Sequence, residues 1–584
     1  MADRANMRDI TARSSSEPDI LPDHRAHASS TRSSPNPRSH VLLLVAICAI
    51  TFFAGLGTTA LWEPDEPRFA EATRQMLERG DYLTPWFNDR PRFEKPVLLY
   101  WLQLPFFAAL GATETAARLP SAIAALLAVL ASYAIARELV SPRAGLLAAI
   151  TLATTFRFVL YARQGLTDVP VAAAVTLALW AMIRALNGKG GSGWTSTAWL
   201  FVGIGILLKG PVGLLAPIVW SVWAYLDGGI AGLRRTRPLS GLAIAAAISV
   251  PWFAAMVVMH GRAFVDVALG YEVVARYLSP DFPGRDRGFF YYWGVWLGDG
   301  APWSLFVIPA IWWALRARRT LPAGERRLLQ LAGIWFATVL LVFSVSQYKL
   351  PHYILPAYPA MALIVGLFAN AAIEGRVRPV LWRVPALASA VALAACGALL
   401  WLLLDRAFEL PPLDGSYVLP VLFGTGAVLV AWLASPLAGS RPLPTFAALA
   451  ITLALAYGTL CLYVAPHELR RFQPVPDLAA AIRQHVSNTE PLAVAGNYGA
   501  PGLVFYARRR VRQLTGREEL ISYLSSPGRR HCVLPEADLQ AISPQIHRRL
   551  VVQAQGGVFS VRMRRLLERD PGRAARVLVL VTAE

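Results

Sequence analysis

The chain reads as an all-α polytopic membrane protein with a small α/β domain after its last span, and three observations carry that reading. Of its 584 residues, 55% are hydrophobic and only 16% are charged, with a mean hydropathy of +0.44, a balance that ordinary soluble domains do not reach. The apolar residues fall in runs approaching the roughly 20 residues a helix needs to cross a bilayer, without the alternation of barrel strands. Beyond residue 466 the hydropathy falls, and short apolar runs alternate with polar helical stretches.

Residues 1–39 are rich in Ser, Pro and Arg and lack apolar periodicity, so they read as a disordered cytoplasmic tail. The run 41–62 is too long for a signal-peptide core and reads as an anchor. A first loop on the face opposite the tail, 62–116, follows. Its aromatic stretch 96–110 is short for a span and fits an interfacial or re-entrant helix. Further spans are expected at 117–139, 144–160, 169–186, 196–208, 211–227, 240–259, 289–315, 328–346, 353–373, 384–404, 417–435 and 443–464, about thirteen in all. The membrane domain is thus 40–465. The remaining residues, 466–584, form the α/β domain, with strands expected at 492–495, 503–507 and 532–534 and helices at 477–484 and 518–524.

A net charge of +19 could suggest nucleic acid, but its placement excludes that class. Alternate loops carry Arg137 and Arg143, then Arg234, Arg235 and Arg237, then Arg316, Arg318 and Arg319, with few acids, as the positive-inside rule places them. The opposite loops mix acids and bases, and an odd span count puts the C-terminal domain on that side with them. Scattered structural ion pairs have no reason to sort by face, whereas an active site at one membrane boundary requires it. The four cysteines are scattered and form neither a disulfide framework nor a metal site.

Four runs hold the candidates. Glu63-Pro64-Asp65-Glu66-Pro67-Arg68 sets an acidic pair ahead of a helix. Helix capping explains the pair as well as a general base does. Phe93-Glu94-Lys95-Pro96 places a lysine where it can reach a lipid phosphate. Thr167-Asp168-Val169-Pro170 suits a helix start. In Lys349-Leu350-Pro351-His352-Tyr353 an aromatic belt accounts for the tyrosine but not for the lysine.

Together with Lys209-Gly210 and Tyr271-Glu272-Val273-Val274-Ala275-Arg276, these runs resemble, in order and spacing over residues 41–365, the polyprenyl-phosphate-dependent membrane glycosyltransferases of the GT-C class. The nearest branch is the aminoarabinose transferases of lipid A, with protein O-mannosyltransferases more distant. The resemblance implies an inverting transferase in the bacterial inner membrane, with its active site and C-terminus periplasmic and its donor sugar carried on undecaprenyl phosphate. Asp65, Glu66 and Asp168 become the catalytic candidates. Glu94, Lys95, Lys209, Glu272, Arg276, Lys349, His352 and Tyr353 become the substrate-binding ones. The implied partners are membrane lipids, the lipid-linked donor and a lipid, protein or glycan acceptor. No cofactor is assigned. The branch carries a histidine, a metal ligand, where this chain has Val273, which leaves a divalent metal an open alternative. A transporter is the competing class; it requires polar groups near mid-span, whereas these lie at span ends.

Overall fold

The computed structural model describes residues 37–188, 192–279, 287–406, 414–496, 500–559 and 575–584; of the expected tail 1–39, residues 1–36 lie outside them and 37–39 instead open the first helix, Pro37–Cys48. Among the described residues nine helices are long and apolar enough to cross a membrane, and the pair Pro142–Ala153 and Phe156–Ala162, bent by 67°, makes a tenth if it is one span. The helix Pro351–Ile373 lies at the centre, its apolar window wholly buried. A helix that is apolar all round is stable only when other helices cover it. Small residues permit that cover: a Cβ added at Gly366 would lie 2.4 Å from the backbone nitrogen of Ala148 on the neighbouring helix. The helices Pro238–Leu278 and Pro379–Asp405 are 22% and 28% buried over the same window and form the periphery.

Two expected spans are corrected, and the break between two others is located. The run 41–62 is helical only over Pro37–Phe53, after which the chain turns. The run 289–315 is interrupted: helix Tyr291–Asp299 ends at Gly300, and a turn with Pro302 precedes the helix Val307–Ala317. Proline lacks the N–H that would continue the helix. The expected pair 196–208 and 211–227 falls within one apolar run of 43 residues, Gly193–Arg235, broken after Lys209. Gly210 adopts a left-handed φ of 57°. The turn then lies back on the preceding helix so closely that a Cβ at Gly213 would approach the Ile206 nitrogen to 2.5 Å.

The first loop contains helix Asp65–Arg79, a two-residue-per-strand hairpin of β1 (Trp86–Phe87) and β2 (Arg90–Pro91), and the short apolar helix Leu98–Leu110, close to the expected 96–110. Asn88 and Asp89 make the hairpin turn, both with positive φ, a conformation that Asn and Asp tolerate better than other non-glycine residues.

The C-terminal domain has a five-stranded sheet of β3 (Leu492–Ala495), β4 (Arg512–Leu514), β5 (Arg530–Pro535), β6 (Leu550–Phe559) and β7 (Ala575–Ala583), in the order β4-β3-β5-β7-β6. The β4-β3-β5 half is parallel and the β5-β7-β6 half antiparallel. The expected strand 503–507 is instead part of helix Ala500–Ala507. A short apolar run buried on several sides has no periodicity that tells strand from helix.

Candidate active site

The two aspartates of the candidate runs occupy equivalent local positions. Asp65 opens helix Asp65–Arg79 and Asp168 opens helix Asp168–Leu186, where the helix dipole favours an anion. The preceding residues, Pro64 and Thr167, make no side-chain capping bond. Lys209 closes the helix Ser192–Lys209, where the dipole favours a cation. Folding brings Lys209 onto Asp168 as an ion pair. His352 Nε2 lies 3.9 Å from the same Asp168 oxygen, and His352 Nδ1 is paired with the Tyr161 hydroxyl at 2.9 Å. Asp65 is half exposed, 3.7 Å from Arg68, and lies within electrostatic reach of Tyr161 and His352.

A second group meets beside the first. Lys95 is ion-paired with Glu272 Oε2, and Arg276 Nη2 lies 2.6 Å from Glu272 Oε1. Arg276 donates to the Tyr353 hydroxyl at 3.3 Å and stacks over Tyr348, while Lys209 stands over the Tyr353 ring. Burial pulls the Lys95 ammonium below its usual range; Glu272 opposes the shift, while Arg276 and Lys209 add to it. Three cations therefore share the two carboxylates Glu272 and Asp168.

These cations stand at the wall of a cavity of about 720 Å³. Glu94, Lys95, Lys209, Glu272, Arg276 and Tyr353 supply its polar lining, and the rest is mostly apolar, from residues such as Ile218, Val250, Phe253 and Val342. An apolar trough ending in unbalanced positive charge suits an amphiphile with an anionic head. Asp65 and His352 are not part of the wall. His352 joins Asp168 to Tyr161, and Asp65 is coupled to that row through Tyr161 and His352.

Two candidates are placed otherwise than expected. Glu66 is buried and saturated: Arg118 donates to both its oxygens at 2.7 and 3.0 Å, and the backbone N–H groups of Trp62 and Gly165 donate at 2.8 Å each. It has no lone pair to spare for proton transfer, so the acid pair divides into a buried, saturated Glu66 and a half-exposed Asp65. Lys349 is buried and directed at the carbonyl of Ser346 rather than at the cavity. The residues do not fit a divalent metal. Glu272 is already shared by two cations, Glu94 is 3.4 Å from Arg92, position 273 is a valine, and the described residues hold no group of three or more metal-ligating side chains.

Sequence reasoning missed Arg118, Tyr161 and the Arg157–Asp299 ion pair near Tyr161. For Arg118 a signal existed: an arginine inside the expected span 117–139 must find an acid somewhere.

Residues 94–254 match the family model of the dolichyl-phosphate-mannose-protein mannosyltransferases. An uncharacterized protein of Aquifex aeolicus is 30% identical over 331 residues, covering 56% of this chain and 73% of that one. The undecaprenyl phosphate-alpha-4-amino-4-deoxy-L-arabinose arabinosyl transferase of Pseudomonas aeruginosa strain LESB58 is 30% identical over 341 residues, 56% of this chain and 58% of that enzyme. This chain thus spans under three fifths of that transferase's length. The crystal structure of ArnT from Cupriavidus metallidurans bound to undecaprenyl phosphate superposes with a TM-score of 0.72 at 24% identity, covering 93% of this chain and 98% of that one, so the fold is shared almost throughout. The chain belongs to the polyprenyl-phosphate-dependent GT-C membrane glycosyltransferases.

Proposed function

We propose that this protein transfers a sugar from an undecaprenyl-phosphate donor to a lipid acceptor of the envelope, lipid A foremost, at the periplasmic face of the inner membrane. The observation that carries the reading is the apolar cavity ending in Lys95, Lys209 and Arg276. The polyprenyl chain lies along the apolar wall, and the cations hold its phosphate. Asp65, half exposed and within electrostatic reach of Tyr161 and His352, takes the proton of the acceptor hydroxyl. The acceptor oxygen then displaces the phosphate from the anomeric carbon in one step, with inversion. Charge builds on the departing phosphate oxygen, and fixed cations in a low-dielectric site stabilise it at no reorganisation cost. Asp168 and Glu272 keep Lys209 and Lys95 aimed. The arginine-bearing loops support this orientation, and the similarity to named arabinosyl transferases supports this donor class.

Mass spectrometry of envelope lipids from cells carrying wild type, Asp65→Asn or no protein tests the reading. A single-sugar increment present only with wild type is expected, the variant losing about 10³-fold or more. No increment on any lipid with a well-expressed wild type would overturn lipid as the acceptor.

A further inference from the structure

The segment that delivers Asp65 is irregular, and irregular backbone must have its polar groups met from elsewhere. From Ala60 to Trp62 each N–H has a side-chain acceptor. Ala60 donates to Gln473 Oε1 at 2.9 Å, Leu61 to the Tyr506 hydroxyl at 2.8 Å and Trp62 to Glu66 at 2.8 Å. The first two acceptors lie more than 400 positions away, on the link to the C-terminal domain and within that domain. Tyr506 in turn donates to Glu114 at 2.8 Å, at the start of helix Glu114–Leu139, so one hydroxyl ties the segment to a spanning helix. Next along, Glu63 Oε1 accepts from the Gly502 N–H at 2.7 Å. The fit leaves no room, since a Cβ at Gly502 would lie 2.3 Å from that oxygen.

The segment that delivers Lys95 is held by the same domain. Asn88, at the hairpin tip seven residues before Lys95, donates from Nδ2 to the Val511 carbonyl and accepts from the Val511 N–H at Oδ1, both at 3.0 Å. Beneath these bonds Phe505 packs with Leu61, Ala70 and Phe107 in one buried apolar cluster.

We propose that the C-terminal α/β domain is part of the catalytic apparatus, with Tyr506, Gly502 and Asn88 as positioning residues that fix Asp65 relative to Lys95. This rests on the function proposed above. An acceptor base and a phosphate-binding cation on two separately tethered loop segments need a common reference, and the domain provides it. A misplacement of about 1 Å costs up to 10²-fold in rate, so loosening either clamp lowers turnover and leaves the donor cavity intact.

The test uses the full chain in nanodiscs, with Tyr506→Phe, Gly502→Ala and Asn88→Ala, and with Arg529→Ala as control because its partner Glu584 lies within the domain. The readouts are kcat and donor KM per folded enzyme, binding of undecaprenyl phosphate, and hydrogen exchange across residues 58–66. The expected result for Tyr506→Phe is a kcat lowered about tenfold, a donor KM and undecaprenyl phosphate affinity within about twofold of wild type, and faster exchange in that segment. Wild-type kcat in all three variants, or losses that follow the folded fraction alone, would overturn the proposal. A wild-type protein that neither binds undecaprenyl phosphate nor transfers sugar sinks the functional reading, and this one with it.

Discussion

Two clusters of buried charge lie near the first loop and behave as opposites. Around Glu66 every acceptor site is filled, by both edges of Arg118 and by two backbone N–H groups, while Arg118 also donates to the carbonyls of Leu56, Thr59 and Ala60. Around Glu272 three cations, Lys95, Arg276 and Lys209, meet two carboxylates and face an open cavity. Both clusters pair buried carboxylates with cations. What separates them is residual valence: the first is closed and can only hold the fold together, the second is short of negative charge and has room for it.

The largest effect that can break this contrast is on stability. Arg118→Leu strands Glu66 as an uncompensated buried charge, and about 3–5 kcal/mol of stability is expected to go with it. Thermal unfolding in detergent reads this, and a variant as stable as wild type would show that the Glu66 cluster is not the lock described here.

An intermediate effect sharpens the contrast by pH. Because burial pulls Lys95 below the usual lysine range, it loses its proton, and the donor its phosphate partner, at a pH where a free lysine is still charged. The alkaline limb of kcat/KM, which reports the free enzyme, is therefore expected below the ordinary lysine value. Lys95→Arg, permanently charged, moves that limb to higher pH. An unmoved limb would assign it to another group.

The smallest effect concerns Glu63. Glu63 keeps an exposed surface, but the protein packed around its carboxyl raises it from 4.5 to about 7, partly offset by the Gly502 N–H and Arg68, with Asp65 adding to the rise. A raised acid binds more protons folded than unfolded, so its contribution favours the docked domain below pH 4.5 and is lost as pH rises to about 7. Comparing Tm at pH 5 and pH 8 for wild type and Glu63→Gln checks the sign: wild type is expected to lose more than the variant over that interval.

Much of this was legible in the residues because it depends on near neighbours. The helix starts at Asp65 and Asp168 and the break after Lys209 follow from proline and glycine placed among apolar runs, and the helix Leu98–Leu110 from an aromatic run too short to span. The misreadings have one cause. Glu66 looked like half of a catalytic pair because its partner is 52 positions away. Lys349 looked available because nothing local shows that it turns to Ser346. The run 503–507 looked like a strand because its burial on several sides erases periodicity.

Order, hydropathy and charge along the chain therefore determined a polytopic helical protein, its family resemblance and which loops carry reactive groups, since each is set by interactions spanning a few residues or by partition into the bilayer. Tertiary structure alone decided which carboxylate is locked and which is left half exposed, which cations line the cavity, and that a domain more than 400 residues away grips the Asp65 segment. Those outcomes depend on which groups burial brings within about 3 Å of one another, and a buried charge is defined by the partner it meets in space rather than by its neighbours in sequence.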